Sequence, residues 1–158
     1  EGDAKSFDAA YRLGELDFKA QNYAEAARSL EKAVSVKPDH YGARYKLAYS
    51  QYRTGAYHQA DNHAASAVKL QPKNYAPLAL QASIANEQGK TGKAINLIRL
   101  AMSLKKNSAT LYTTLGSFYA DNSLFDQAKA ALDKAATLDT SSAKPYLLLG
   151  ALYSKRRL

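Results

Sequence analysis

ATLYTTLGSFYADNSLFDQAKAALDKAATLDTSS, residues 109–142, holds the pattern that decides the fold. Tyr112, Leu115, Gly116 and Tyr119 lie three, four and seven residues along from the first of them, which places them on one helical face. Asn122-Ser123 interrupts the period, and Phe125, Ala128, Leu132 and Ala135 then mark the face of a second helix. Two amphipathic stretches joined by a polar break read as helix, short turn, helix.

The same unit recurs outward from this stretch at an offset of 34 residues. Full copies fit 7–40, 41–74, 75–108 and 109–142, and a partial copy fits 143–158. The tightest column is alanine: Ala26, Ala60, Ala94 and Ala128, followed seven residues later by Ala33, Ala67, Ala101 and Ala135. Small residues two turns apart on one face mark a close helix approach. A second column pairs a large residue with a small one at Leu13-Gly14, Leu47-Ala48, Leu115-Gly116 and Leu149-Gly150, with Gln81-Ala82 as the weak copy. Copies in phase are the mark of stacked units that bury a continuous core between neighbours.

Helix stops fall where this frame needs them. Gly55 and Gly89 end first helices, and Gln21-Asn22 and Asn122-Ser123 stand in the same places. Pro38 and Pro72 end second helices, Asp39, Asn74, Ser108 and Ser142 are the expected caps, and Pro77 and Pro145 fall in first turns.

Taken together, these columns resemble the tetratricopeptide repeat family over nearly the whole chain, and unit four carries the motif best. The resemblance implies an all-α, right-handed superhelical solenoid of antiparallel helix pairs, with four units plus one extra C-terminal helix. A single domain over 1–158 is expected, as a fragment of a longer protein. It also implies a non-catalytic protein-protein interaction scaffold that binds a peptide or protein segment in a concave groove lined by the first helix of each unit. Departures from the motif are Asp17, Gln51 and Ala85 where Tyr119 has its counterparts, and Lys106 and Thr140 in place of proline. The RNA-reading pentatricopeptide relatives fit the Leu-Gly and alanine columns less well. The family's carboxylate clamp for chaperone C-termini needs lysines, an arginine and asparagines where this chain has Tyr11, Glu15, Lys46, Ala76 and Leu80, so that activity is not expected.

Composition narrows the chemistry further. Without cysteine there is no disulfide, thiolate nucleophile or thiolate metal site. The three histidines, His40, His58 and His63, have no partners at metal-binding spacing and are expected at the surface. No phosphate-binding glycine loop or nucleophile elbow is written. Neither an enzyme activity nor a cofactor or metal is therefore expected. No apolar run suits membrane insertion and the first residues, EGDAKS, do not read as a signal peptide, while cytoplasm and periplasm both remain open.

The binding surface is read from the first helices. Of twelve tyrosines, eight fit core columns or helix starts, and Tyr11, Tyr45, Tyr49 and Tyr52 remain. With Phe18 and Arg53 they form the candidate ligand-binding set. Two readings stay open: these aromatics line the groove, or Phe18 and Tyr52 turn inward to replace the aromatic missing at Asp17 and Gln51. The net charge of +8 concentrates in 41–74 and 75–108, each +4, and in 143–158, also +4. Arg53 beside Tyr52 suits an acidic protein segment, whereas a continuous phosphate-tracking stripe for nucleic acid is not evident. A regulatory or assembly arm of a larger enzyme or of a secretion or envelope machine is the alternative function. Helix 143–157 presents Tyr146, Leu147, Leu148, Leu149, Leu152 and Tyr153, more apolar surface than one neighbour covers, so a helix beyond Leu158 or self-association is expected there.

Overall fold

The computed structural model describes residues 2–157, and these form nine helices joined by short turns, with no strand among the described residues. They are α1 (Gly2–Lys19), α2 (Tyr23–Val36), α3 (Tyr41–Arg53), α4 (Tyr57–Leu70), α5 (Tyr75–Glu87), α6 (Thr91–Leu104), α7 (Ala109–Asp121), α8 (Phe125–Leu138) and α9 (Lys144–Arg157). Glu1 and Leu158, the ends of the expected array, lie outside the described residues. Second helices begin at Tyr23, Tyr57, Thr91 and Phe125, each 34 residues after the last.

The turn inside each unit is one device built four times. Gln21, Gly55, Gly89 and Ser123 all take a left-handed backbone, with φ of 62°, 82°, 70° and 60°. The next N–H in each copy, from Asn22, Ala56, Lys90 and Leu124, donates 2.8 Å back to the carbonyl of Asp17, Gln51, Ala85 and Tyr119. That bond satisfies a carbonyl the helix end would otherwise leave bare. Between units the cap differs from the sequence expectation. His40, not Asp39, caps α3, its Nδ1 accepting from the Ala43 N–H at 3.1 Å, while Asn74 caps α5 by accepting from Ala76 at 3.0 Å. Ser108 stands at the α7 N-cap with no side-chain bond.

All eight column alanines are fully buried. Gly14 and Gly116 lie so close to the second helix that a Cβ on either would sit 2.6 Å from the Cγ of Leu30 or Leu132. The Leu-Gly reading needs correction at both ends of the array: Gly14 is buried but Leu13 is 53% exposed, and Gly150 is exposed. Leu47, the equivalent of Leu13, packs among Leu30 and Ala33 of the preceding unit, and no helix among the described residues covers that face of α1. Gln51 itself occupies the vacant aromatic position of unit two, buried at 8% exposure, while Phe18 and Tyr52 are half-buried and pack against the neighbouring core clusters.

Curvature follows from which helices touch. Each helix packs on its neighbours in sequence, and the odd helices also meet one another, α1 with α3, α3 with α5, α5 with α7 and α7 with α9. Among the described residues no two even helices make such contact. The odd helices therefore form the tighter, concave wall and the even helices the splayed, convex one.

Candidate functional site

The concave wall holds a depression of about 380 Å³ lined from three successive odd helices. From α3 come Tyr45, Tyr49 and Tyr52; from α5 come Tyr75, Ala76, Ala79, Leu80 and Ser83; from α7 come Thr110, Leu111 and Thr114. Small residues at Ala76 and Ala79 recess the middle of the wall, and the tyrosines build up its rim. The lining carries no charged side chain. Burial pushes the Tyr45 phenol up to about 12, with smaller contributions from Tyr41, Tyr49 and Tyr75. Burial also raises the Tyr52 phenol, with Glu87 adding to the effect. Both phenols stay protonated and present hydroxyls at neutral pH.

The six candidate side chains divide between lining and support. Tyr45, Tyr49 and Tyr52 face the depression. Tyr45 is also wall, stacked on Tyr41 with ring centres 5.9 Å apart and packed against the Ala48, Ala60 and Leu80 cluster. Phe18 stands behind Tyr49, meeting its edge at 5.4 Å and the edge of Tyr23 at 5.8 Å. Tyr52 in turn leans on Tyr57 at 6.1 Å. The result is an aromatic chain, Phe18, Tyr23, Tyr49, Tyr52 and Tyr57, that braces the groove across two units.

Tyr11 lies away from the depression. Its ring stacks on Phe7 at 5.5 Å and meets His40 at 4.8 Å, and its hydroxyl accepts from Lys46 Nζ at 2.9 Å. Lys46 also pairs with Glu15, which holds that carboxyl below its usual range. Arg53 lies over the Tyr23 ring at 4.4 Å and donates to the hydroxyls of Tyr23 at 3.1 Å and Tyr49 at 3.4 Å. On the other side Lys105 donates to the Tyr75 hydroxyl at 3.0 Å. The uncharged groove thus has a cation on a lining tyrosine at each side.

Sequence reasoning assigns Tyr75 only to a helix start, and it reads Ala76, Ala79, Ser83 and Thr110 as inner-wall positions without including them in the candidate set. A second, more polar depression of about 190 Å³ continues the wall toward α9, where Tyr52, Glu87, Asp121, Lys144 and Leu148 are among its lining. Asn86 Nδ2 donates to Asp121 at 2.9 Å there. The histidines also need revision. His63 is half-buried rather than a plain surface residue, with Arg44 Nη1 3.3 Å from its Nδ1, and His40 is a cap. Among the described residues no cluster of His, Cys, Asp or Glu could hold a metal ion, and no helix is long and apolar enough to cross a membrane.

Comparison with known proteins agrees with this fold. Two family models, both described as tetratricopeptide repeat, match residues 11–60 and 109–142 and together cover more than half of the chain. The chain belongs to the tetratricopeptide repeat family, a class of typically non-catalytic scaffolds for protein-protein interaction. No curated protein matches it in sequence. Among solved structures it resembles TTC0263, a thermophilic repeat protein of Thermus thermophilus, with TM-score 0.82 and 22% identity over 95% of this chain and 82% of that one. It also resembles MamA from Desulfovibrio magneticus RS-1, with TM-score 0.79 and 16% identity over 96% and 86%. A third is YrrB, described as a repeat protein with an unusual peptide-binding site, with TM-score 0.68 and 15% identity over 99% and 84%. At these identities the likeness concerns the fold.

Proposed function

We propose that the chain is a protein-interaction module that grips an extended protein segment along α3, α5 and α7. The observation that carries this is the uncharged depression of about 380 Å³ walled by four tyrosines and floored by alanine, serine and threonine. Tyrosine gives large apolar contact with a hydrogen-bonding tip and few rotors to freeze, so it suits the grip of a flexible segment. Arg53 and Lys105, each on a lining tyrosine, favour a segment with acidic residues beside its apolar anchors. The description of YrrB as having a peptide-binding site adds support by analogy.

The most direct test selects peptides from a random display library on the wild-type protein. Selected peptides are then measured against Thr114→Arg and Tyr52→Ala. Thr114 bonds only the Thr110 carbonyl of its own helix, so an arginine there obstructs the groove without removing a core contact. Affinity is expected to fall at least about tenfold in each variant, the size of losing one buried aromatic or its access. Peptides that bind both variants as tightly as wild type would refute the groove.

A further inference from the structure

An aromatic cluster that is complete where units one and two meet is half-built where unit four meets α9. In the complete copy Phe18 meets the edges of Tyr23 and Tyr49 at 5.8 Å and 5.4 Å, and Arg53 lies over the Tyr23 ring while donating to both hydroxyls. Three repeats further on, the positions of Phe18, Tyr23, Tyr49 and Arg53 hold Ala120, Phe125, Ala151 and Lys155. One ring and the cation are kept, and two rings are lost. A hollow of about 240 Å³ remains, lined by Ala120, Ser123, Phe125, Leu152 and Lys155. Leu152, expected on the open face of α9, is 6% exposed and forms part of this wall instead. The intervening copies are closed by side chains of their own. Tyr52 closes the second against Tyr57 at 6.1 Å, and in the third Asn86 donates to Asp121 at 2.9 Å and Thr91 to Asn122 at 2.6 Å. The complete copy draws its rings and its cation from α1, α2 and α3, and none from α4, the even helix that follows. The hollow is therefore written in Ala120 and Ala151, on α7 and α9, and not in the want of a neighbouring helix.

We propose that this hollow takes a tyrosine side chain of a partner protein, in the place where the complete copy carries its own rings. A ring there has Phe125 for an edge-to-face contact and Leu152 and Ala120 for apolar cover. Lys155 selects tyrosine among the ring-bearing side chains. Two other lysines of this chain lie over a tyrosine and donate to its hydroxyl: Lys46 is 4.9 Å from the Tyr11 ring centre and 2.9 Å from its oxygen, and Lys105 is 4.6 Å and 3.0 Å from those of Tyr75. Lys155 offers an incoming phenol the same two contacts, whereas an aliphatic anchor uses neither. Ser123 and Lys155 are exposed, so the hollow is reached from solvent. It has room for one ring, and the contacts of the polypeptide that bears the ring supply the rest of the affinity. This site shares no lining residue with the tyrosine groove of the concave wall.

The test selects random displayed peptides on the wild-type protein and discards those that also bind Ala120→Phe or Lys155→Glu. The first variant puts the ring of unit one back into the hollow. The second changes an exposed residue and keeps the selection sound whatever Ala120→Phe does to folding. Both leave the lining of the concave groove intact, so peptides held there are discarded and the two sites are read separately. Surviving peptides are expected to share a tyrosine, and one of them, titrated into isotope-labelled protein, to shift Ser123, Phe125 and Leu152 in NMR spectra. Replacing that tyrosine by alanine is expected to lower affinity about tenfold or more. Replacing it by phenylalanine, or Lys155→Ala in the protein, is expected to lower affinity about threefold to tenfold, and the combined loss to fall short of the product because the two share one bond. The proposal is overturned if no peptide survives, if the survivors share an aliphatic residue or none, if the shifts fall on the concave wall, or if the two losses multiply in full. Saturation by N-acetyltyrosine amide at the peptide's concentration would give the hollow to a free phenol instead, and a dimer of the protein alone that Ala120→Phe dissolves would give it to a second copy.

Discussion

Gly116 and Gly150 occupy the same register in units four and five, and the same substitution is expected to act on them with opposite sign. A Cβ on Gly116 would lie 2.6 Å from Leu132 Cγ, 2.8 Å from Leu132 Cδ2 and 3.3 Å from the Ala128 carbonyl oxygen. Leu132 is fully buried, and its Cγ is a branch point, so the leucine cannot swing clear. Overpacking of this kind costs about 1–3 kcal/mol. Against it stands the helix preference of alanine over glycine, about 1 kcal/mol. With the clash near the upper part of its range, Gly116→Ala is expected to destabilise by about 1–2 kcal/mol, which lowers the thermal midpoint by roughly 2–8 °C for a chain of this size. At Gly150 only the helix preference acts, so Gly150→Ala is expected to stabilise α9 by up to about 1 kcal/mol. Thermal unfolding followed by circular dichroism reads the first, and amide exchange across residues 144–157 reads the second. A Gly116→Ala midpoint equal to or above wild type would refute the account of the glycine column as a close-approach device.

Two further outcomes follow from particular groups. Gln21→Gly and Ser123→Gly are each expected to stabilise by about 0.5–1 kcal/mol, because both residues hold a left-handed backbone that glycine adopts without penalty, and a lower urea midpoint in either would contradict this. Burial, and then the Arg44 cation, hold the His63 imidazole below its ordinary 6.5, with Glu31 opposing. The unfolded chain therefore takes up a proton on His63 before the folded chain does. Stability contributed by neutral His63 is present above 6.5 and is lost as pH falls through the window between 6.5 and the folded value. Urea midpoints between about pH 7.5 and about pH 5.5 are expected to fall less steeply in His63→Gln than in wild type; parallel slopes would show that His63 is not responsible.

The fold is legible in the sequence because its signals repeat. An alanine at one position proves little, but Ala26, Ala60, Ala94 and Ala128 in phase, with a second set seven residues later, leave one packing solution. The left-handed turn is visible in Gly55 and Gly89 and carries to Gln21 and Ser123 by offset alone. Legibility fails where a unit meets an end or where one residue departs from its column. Leu13 has the same sequence environment as Leu47, but among the described residues no second helix packs on it from the other side, so its exposure follows from its place in the stack and not from the residue. The cap at His40 is masked by Asp39 beside it, which belongs to a commoner capping type, although the 34-residue offset from Asn74 and Ser108 points to His40.

The candidate groove is less legible for a reason built into repeat proteins. Residues that hold units together must recur, whereas residues that recognise a partner differ from unit to unit, so the pattern that reveals the fold is silent about the site. Tyr11 and Tyr45 show the consequence, since they share a column yet end in different places. What decides is the residue about one repeat further on, because contacts across the concave wall join side chains roughly 34 apart: Lys46 to Tyr11, Asn74 to Tyr41, Asn86 to Asp121. Beyond Tyr11 stand Gly42, over which its hydroxyl lies, and Lys46, which donates to that hydroxyl, and these hold the ring in an interhelical contact. Beyond Tyr45 stand Ala76 and Ala79, whose small side chains open the depression instead. A groove residue in such a protein is thus specified by a pair of positions, a large side chain in one unit and a small one at the same column in the next. On that rule Tyr45 above Ala79 and Tyr49 above Ser83 mark the centre of this wall, and Tyr11 above Tyr45 does not.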